Sequence, residues 1–310
     1  MKSLKGIKVL LGPSTFALHD NKPLDHLIEA GCEVIENPYK RKITKPELLE
    51  LLSDNVSGLI AGLEPLDFDV LKMSKLKVIS RCGSGLSNVD LEAAAEMNIT
   101  VCSTPEAPVQ AVAELTLGSM LSLLRHIHQM DRDLHSGEWV KRIGIQLKNK
   151  TVVIIGFGRI GQCLTDLLMP FQTKIMAVDP YFEGSLYNND NVSLVSLEEA
   201  LPKADIITIH SSGETCILGE KELSLIKKGT FLLNAGRGNL VDEAALIKVI
   251  ENGYVAGAWL DTFMQEPYRG PLTEYSQVLL TPHVGSYTAE CRSRMETEAV
   301  NNLITVLRNE

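Results

Sequence analysis

The sequence predicts an α/β protein made of two doubly wound domains, each built on a parallel sheet. Three observations carry this. Short β-branched runs alternate with helical segments along the chain, the alternation falls into two separate series, and 310 residues exceed the size at which a single core keeps growing.

The first series is IKVLLG, CEVIEN, SGLIAG, LKVISRCG and ITVCS, with helical stretches such as PLDHLIEAG and DLEAAAEM between them. The second is TVVIIG, KIMAVD, DIITIH, TFLLNAG, YVAGAWLD and QVLLTPH. Such short apolar runs, bounded by Gly, Pro or Asp, suit strands covered on both faces. Between the series, from Pro105 to about His135, AVAELTLGSMLSLLRHI is apolar on nearly every face. A helix of that kind needs partners on all sides, so it is expected to be buried at a domain or subunit contact. From Tyr287 to Glu310, residues Met295, Ala299, Leu303, Ile304 and Leu307 recur at helical spacing and predict a terminal amphipathic helix. There is no tandem repeat.

Composition excludes several function classes. The net charge is -9, the charges are interspersed, and the basic run Lys40-Arg41-Lys42 is short, so no nucleic-acid partner is expected. The apolar part of MKSLKGIKVLLGPS is too short for a secretory core and reads as a first strand. No segment approaches the roughly 20 apolar residues of a membrane span. A soluble, cytoplasmic protein without a membrane partner is expected. The six cysteines lack CxxC pairing or finger spacing, which predicts packing thiols and no metal site.

The first chemical signal is TVVIIGFGRIG, which sets Gly156, Gly158 and Gly161 in a GxGxxG pattern between an apolar strand and a helical run. Glycines there permit a tight turn, close approach of backbone to a pyrophosphate, and helix–strand packing, while Arg159 and Ile160 open the helix whose N-terminus faces the anion. The next strand, KIMAVD, ends in Asp179, 18 residues after Gly161, where a carboxylate can take the adenosine ribose hydroxyls. That acid repels a 2′-phosphate, so NAD is expected over NADP.

Ligands of open α/β sheets bind at the carboxyl ends of the strands. Three ends in the second series carry reactive groups: Arg237 in LLNAGRGNLVDEAAL, Asp261 and Glu266 in GAWLDTFMQEP, and His283 in LLTPHVGSYT. A guanidinium fork suits a substrate carboxylate and carbonyl oxygen, and an imidazole moves a hydroxyl proton. A carboxylate beside that imidazole favours its charged form, so Glu266 is expected to orient and tune His283. Any one of these residues alone would read as a turn or packing residue. Together, after a dinucleotide fingerprint, they point to oxidation of a hydroxy acid.

The segments RCGSGLSNVDLEAA, TPEAPVQAVAELTLG, VVIIGFGRIG, AVDPY, NAGRGNLVDEAAL, GAWLDTFMQEP and TPHVG, in this order, resemble the D-isomer-specific 2-hydroxyacid dehydrogenases over essentially the whole chain. Within that family the chain looks most like short 3-phosphoglycerate dehydrogenases without a regulatory domain. The resemblance implies a Rossmann-type NAD-binding domain, residues 102–284, inserted in a flavodoxin-like substrate domain, residues 1–101 with 285–310. It implies that Ser84 and Gly85 offer backbone N–H groups to the substrate carboxylate and that Asp261 meets the nicotinamide carboxamide. It also implies that Arg237, Glu266 and His283 are catalytic, with Arg237 and His283 touching substrate, and that the buried helix after Pro105 is the arm of a homodimer.

Two segments depart from the usual pattern: Leu86-Ser87-Asn88 stands where an Asp-Asn pair is common, and NAGRG replaces NxARG. His210, in ITIHSSG, reads as structural. A phosphorylated substrate needs further cations, and Arg81 beside the carboxylate loop and Lys141-Arg142 are the candidates, although IAGLEP lacks an Arg found in some phosphoglycerate enzymes. The expectation is therefore 3-phosphoglycerate modestly ahead of glyoxylate, hydroxypyruvate or pyruvate. The same fold also serves NAD-sensing corepressors that act as binding scaffolds, but their peptide-docking extensions are not evident here. Formate enzymes tend to carry Gln in place of the tuning Glu, and Glu266 argues against that chemistry.

Overall fold

The computed structural model describes residues 3–182, 191–213 and 215–309. Positions 1, 2 and 310 of the expected substrate domain, and 183–190 and 214 of the expected cofactor domain, lie outside them. The chain divides into two compact units, Met1–Pro108 with Ser286–Glu310, and Val109–Gly285. The segment 102–108 therefore stays with the first unit, and Gly285 with the second.

The first unit runs β1 (Lys8–Leu11), α1 (Lys22–Glu29), β2 (Glu33–Ile35), α2 (Lys45–Leu52), β3 (Val56–Ala61), α3 (Phe68–Met73), β4 (Val78–Arg81), α4 (Leu91–Glu96) and β5 (Thr100–Cys102). All five strands are parallel, in the order β2-β1-β3-β4-β5. The helices start where the sequence supplies caps. Asp67 and Asp90 accept the backbone N–H groups of Val70 and Ala93, and Thr44 and Glu47 form a capping box across Pro46. Arg41 binds Glu47 from outside and holds its carboxyl down at about 2.

The C-terminal helix, Ala289–Asn309, belongs to this unit. Met295, Ala299, Leu303, Ile304 and Leu307 are all buried, as their spacing predicts, and they pack with Val9, Leu27, Ile60 and Val78 in one core. Arg292 and Glu296, one turn apart on the same helix, form a buried pair at 2.7 Å. Glu296 also accepts the N–H of Ala17, and Arg292 donates to Thr15, so the loop after β1 is tied to the helix.

The second unit begins with α5 (Val109–Leu124) and α6 (Ile127–His135) and continues β6 (Thr151–Ile155), α7 (Arg159–Leu168), β7 (Lys174–Val178), β8 (Val192–Leu194), α8 (Leu197–Ala200), β9 (Ile206–Ile209), α9 (Glu220–Leu223), β10 (Thr230–Asn234), α10 (Glu243–Glu251), β11 (Val255–Leu260) and β12 (Val278–Leu280). Its parallel strands lie in the order β12-β11-β10-β9-β6-β7-β8. The central strands are buried along nearly their whole length, which is why each reads as a continuous apolar run. β8 is an exposed edge strand of three residues and gave no such run.

The apolar stretch expected as one helix is two. His126 takes a left-handed backbone, φ 52°, and ends the first helix, while the carbonyl of Leu124 accepts the N–H of Ile145. Much of the apolar surface of α5 is spent inside its own unit, where Ala113, Met120, Leu123 and Leu124 pack with Ile154, Leu164 and Trp259. Exposed apolar side chains instead follow it, in α6 and the segment to Ile145.

Candidate active site

The dinucleotide fingerprint takes the geometry its glycines permit. Gly156 has φ +88°, and a Cβ there would stand 2.6 Å from the backbone N of Ser211 after β9. A Cβ on Gly161 would stand 2.5 Å from the carbonyl oxygen of Gly156, so this glycine lets α7 lie against the loop. Around Gly158 there is open space, and Gly158 is the N-cap of α7. Backbone N–H groups and a helix N-terminus therefore face room for an anion. Arg159 and Ile160 form the first turn of α7. Asp179, at the end of β7, accepts the N–H of Phe157 at 2.8 Å and of Tyr181 at 2.9 Å. Its carboxylate braces the glycine loop and keeps acceptor positions over for ribose hydroxyls. The residues present fit a dinucleotide.

Arg237 follows β10. Asn234, fully buried at the strand end, accepts the N–H of Gly236 at 3.0 Å and donates to the carbonyl of Arg237 at 2.8 Å. Arg237 itself donates to the carbonyl of Gly236. Gly238 is the next requirement, because a Cβ there would collide with the backbone of Phe263 and Met264. Without a side chain at Gly238, the Arg237 loop lies directly against the loop that carries Glu266.

His283 and Glu266 meet. The imidazole Nδ1 is 2.9 Å from Oε2 and 3.1 Å from Oε1 of Glu266, whose Oε1 also accepts the N–H of Phe263. A carboxylate accepts only, so Nδ1 carries the proton in this pair and Nε2 is the nitrogen left for a substrate. His283 has φ 54°, a backbone state uncommon in residues other than glycine. Asp261, 2% exposed, accepts the N–H groups of Val284 and Gly285, each at 2.9 Å, and so pins the residues that follow.

Within the first unit, Arg81 ends β4 and precedes the loop holding Ser84 and Gly85. Its guanidinium donates to the carbonyl of Cys82 and lies over Gly83, where a Cβ would overlap it. The loop is braced from two sides. The amide of Gly83 donates to Thr104 Oγ1 at 2.8 Å, and Asn88 donates to the carbonyl of Glu64 at 2.7 Å. Glu64 is buried, and burial pushes its carboxyl upward; it accepts the N–H of Gly62 at 2.9 Å. Ser84 is exposed at the loop tip. Of the cations considered for a phosphate, Arg142 is paired with Asp133 at 2.7 Å and Lys141 is exposed.

Sequence reasoning missed Asn234, Glu64 and Asn88. Asn234 had a local signal, since an Asn followed two residues later by a glycine is an Asx-turn pattern. Asn88 had none, because its partner Glu64 is distant in sequence, and nothing local marked Glu64 as buried. Among the described residues no group of His, Cys, Asp and Glu is arranged to hold a metal.

Residues 117–285 match the family model for the D-isomer specific 2-hydroxyacid dehydrogenase, NAD binding domain. The chain is 37% identical over 286 residues to the D-3-phosphoglycerate dehydrogenase of Methanocaldococcus jannaschii, covering 90% of this chain and 55% of that protein. It is 35% identical over 298 residues to the glyoxylate reductase of Thermofilum pendens, covering 92% of this chain and 88% of that one. A glyoxylate reductase structure from Paecilomyes thermophila superposes with a TM-score of 0.87 at 28% identity, covering 100% of this chain and 97% of the other. The chain spans about half the length of the phosphoglycerate dehydrogenases it matches.

His210, beside the glycine loop, has its Nε2 2.9 Å from Thr208 Oγ1 and a buried Nδ1. Burial pushes it down to about 4 from 6.5. The folded state thus binds this proton less readily than the unfolded state, so stability is complete above the ordinary histidine value and falls as pH drops from about 6.5 to about 4. Urea unfolding at about pH 7 and about pH 4.5 is expected to show His210→Gln losing less stability on acidification than wild type, by up to about 3 kcal/mol. Equal losses would show that His210 does not govern this range.

Proposed function

The chain belongs to the D-isomer-specific 2-hydroxyacid dehydrogenase family, and from that membership and the geometry above we propose that it moves a hydride between a small D-2-hydroxy acid and NAD. The observation that carries the reading is the Glu266–His283 pair, held on the same unit as the Arg237 loop and the glycine loop. With the pyrophosphate of the dinucleotide held by the glycine loop, the nicotinamide would supply the hydride acceptor, and its reduced form the donor.

In oxidation, Nε2 of His283 takes the hydroxyl proton of the substrate; in reduction it returns a proton to the carbonyl oxygen. Glu266 fixes the tautomer and the plane of the ring. The guanidinium of Arg237 binds the substrate carboxylate and the developing alkoxide as a fork. Backbone N–H groups at Ser84 and Gly85 serve the carboxylate, with Arg81 setting the backbone of their loop. Asp261 would hold the carboxamide of the nicotinamide. Asp179 selects NAD, since a 2′-phosphate would meet its carboxylate.

For the substrate, 3-phosphoglycerate stands first, ahead of glyoxylate, hydroxypyruvate or pyruvate; phosphoglycerate and glyoxylate are the substrates in the names of relatives. A cytoplasmic homodimer is part of the same reading, and no described helix is long and apolar enough to cross a membrane. Ile143 is 97% and Trp139 80% exposed, with Ile127, Leu134 and Ile145 on the same stretch of chain. Large apolar groups in that number suit a second copy of the chain.

Turnover tests the proposal. Wild type is expected to oxidise NADH with at least one of 3-phosphohydroxypyruvate, hydroxypyruvate, glyoxylate or pyruvate, and His283→Gln to lower kcat by about 10²–10⁴ fold with NADH binding nearly intact. Tight NAD binding without turnover would favour a binding scaffold, and near-wild-type activity of the variant would remove His283 from the chemistry. In sedimentation, wild type is expected as a dimer and Ile143→Glu as a monomer. A monomeric wild type would contradict the dimer.

A further inference from the structure

We propose that Trp259 and Thr281 are positioning residues for His283, acting through Asp261; this deepens the dehydrogenase reading and rests on it. Trp259 is fully buried near the end of β11, among Ala113, Leu164 and Leu233. Its indole Nε1–H donates to Thr281 Oγ1 at 2.9 Å. Thr281 Oγ1 in turn donates to Asp261 Oδ1 at 2.6 Å. The direction of this chain is fixed by chemistry, because an indole N–H only donates, a carboxylate only accepts, and a threonine hydroxyl has a single proton to give.

The chain ends on the residues around the reactive histidine. Thr281 lies two positions before His283, and the same Asp261 carboxylate binds the N–H groups of Val284 and Gly285 just after it. The turn is thereby clamped on both flanks while His283 takes φ 54° between them. A carboxylate has about four acceptor positions. Three are filled here, by Thr281, Val284 and Gly285. One is left, so the clamp is compatible with a carboxamide ligand on Asp261.

The strands supply the fixed frame. Leu260 pairs with Leu280 across β11 and β12, and the N–H of Thr281 donates to the carbonyl of Leu260. On the other side, the N–H of Asp261 donates to the carbonyl of Asn234, whose side chain shapes the Arg237 loop. An immobile aromatic side chain in the core thus sets where the acid–base nitrogen stands.

The test measures the steady-state reduction of a 2-oxo acid, with kcat and KM determined separately, together with NADH affinity, for wild type, Thr281→Val, Thr281→Ser and Trp259→Phe. Thr281→Val keeps the shape and removes the hydroxyl. It is expected to lower kcat about 10- to 100-fold, as a small misplacement of an acid–base group does. KM and NADH affinity are expected to stay within about threefold, and Thr281→Ser to recover kcat to within about threefold of wild type. Trp259→Phe is expected to fall between the two. Wild-type kcat in Thr281→Val, or equal damage in Thr281→Ser, would overturn the assignment, since packing alone is blind to the hydroxyl.

If wild type reduces no 2-oxo acid, the dehydrogenase reading fails first. Amide exchange then decides the clamp separately: Val284 and Gly285 are expected to exchange about tenfold faster in Thr281→Val. Unchanged exchange overturns it.

Discussion

The carboxylate of Asp261 accepts the hydroxyl of Thr281 and the backbone N–H groups of Val284 and Gly285, and the turn that carries His283 has its shape because of those three bonds. Holding a residue other than glycine in a left-handed backbone costs about 1–3 kcal/mol, so such a turn persists only where its surroundings over-determine it. Here they do. The backbone bond from Thr281 to Leu260 fixes Thr281, the core fixes Trp259, and Glu266 takes the remaining freedom of the ring by binding Nδ1. The nitrogen that faces away from Glu266, Nε2, makes no bond to that carboxylate.

Close approach of backbones is the second constraint, and glycines provide it. Gly156 lets the dinucleotide loop meet the loop after β9, and Gly161 lets α7 meet the dinucleotide loop. Gly236 and Gly238 do the same for the Arg237 loop, against Ser211 and against Phe263 and Met264. The loops after β6, β9, β10 and β11 therefore stack backbone to backbone at one edge of the sheet. Rigid elements hold the chemistry, and the reactive side chains need little freedom of their own.

Much of this was legible in the sequence. Eleven of the twelve strands among the described residues stood out as short apolar runs, the central ones because they are buried on both faces, and the buried face of the C-terminal helix followed from its spacing. Glu266 and His283 were readable as a pair because each follows a strand, and adjacent strands bring their ends together. What escaped was decided by contacts between distant residues. β8 is short and exposed, and nothing apolar marks it. The break at His126 comes from a left-handed residue that carries no glycine to announce it. Glu64 has no local signal of its burial, which the fold alone shows, with its carboxylate on the N–H of Gly62 and its carbonyl accepting from Asn88. Trp259 carries no local signal of its contact, because its Nε1–H reaches the residue after the next strand.

On the reading proposed above, hydride reaches C2 of a 2-oxo acid on one face only, while His283, held by Glu266, gives the proton to the carbonyl oxygen. The most direct measurement supplies NADH deuterated on the transferred position of its nicotinamide, together with a 2-oxo acid whose reduction creates a stereocentre, and resolves the product by chiral chromatography and mass spectrometry. The expected product is a D-2-hydroxy acid with deuterium at C2. A product of L configuration, or one with no deuterium at C2 from either labelled face, would contradict it.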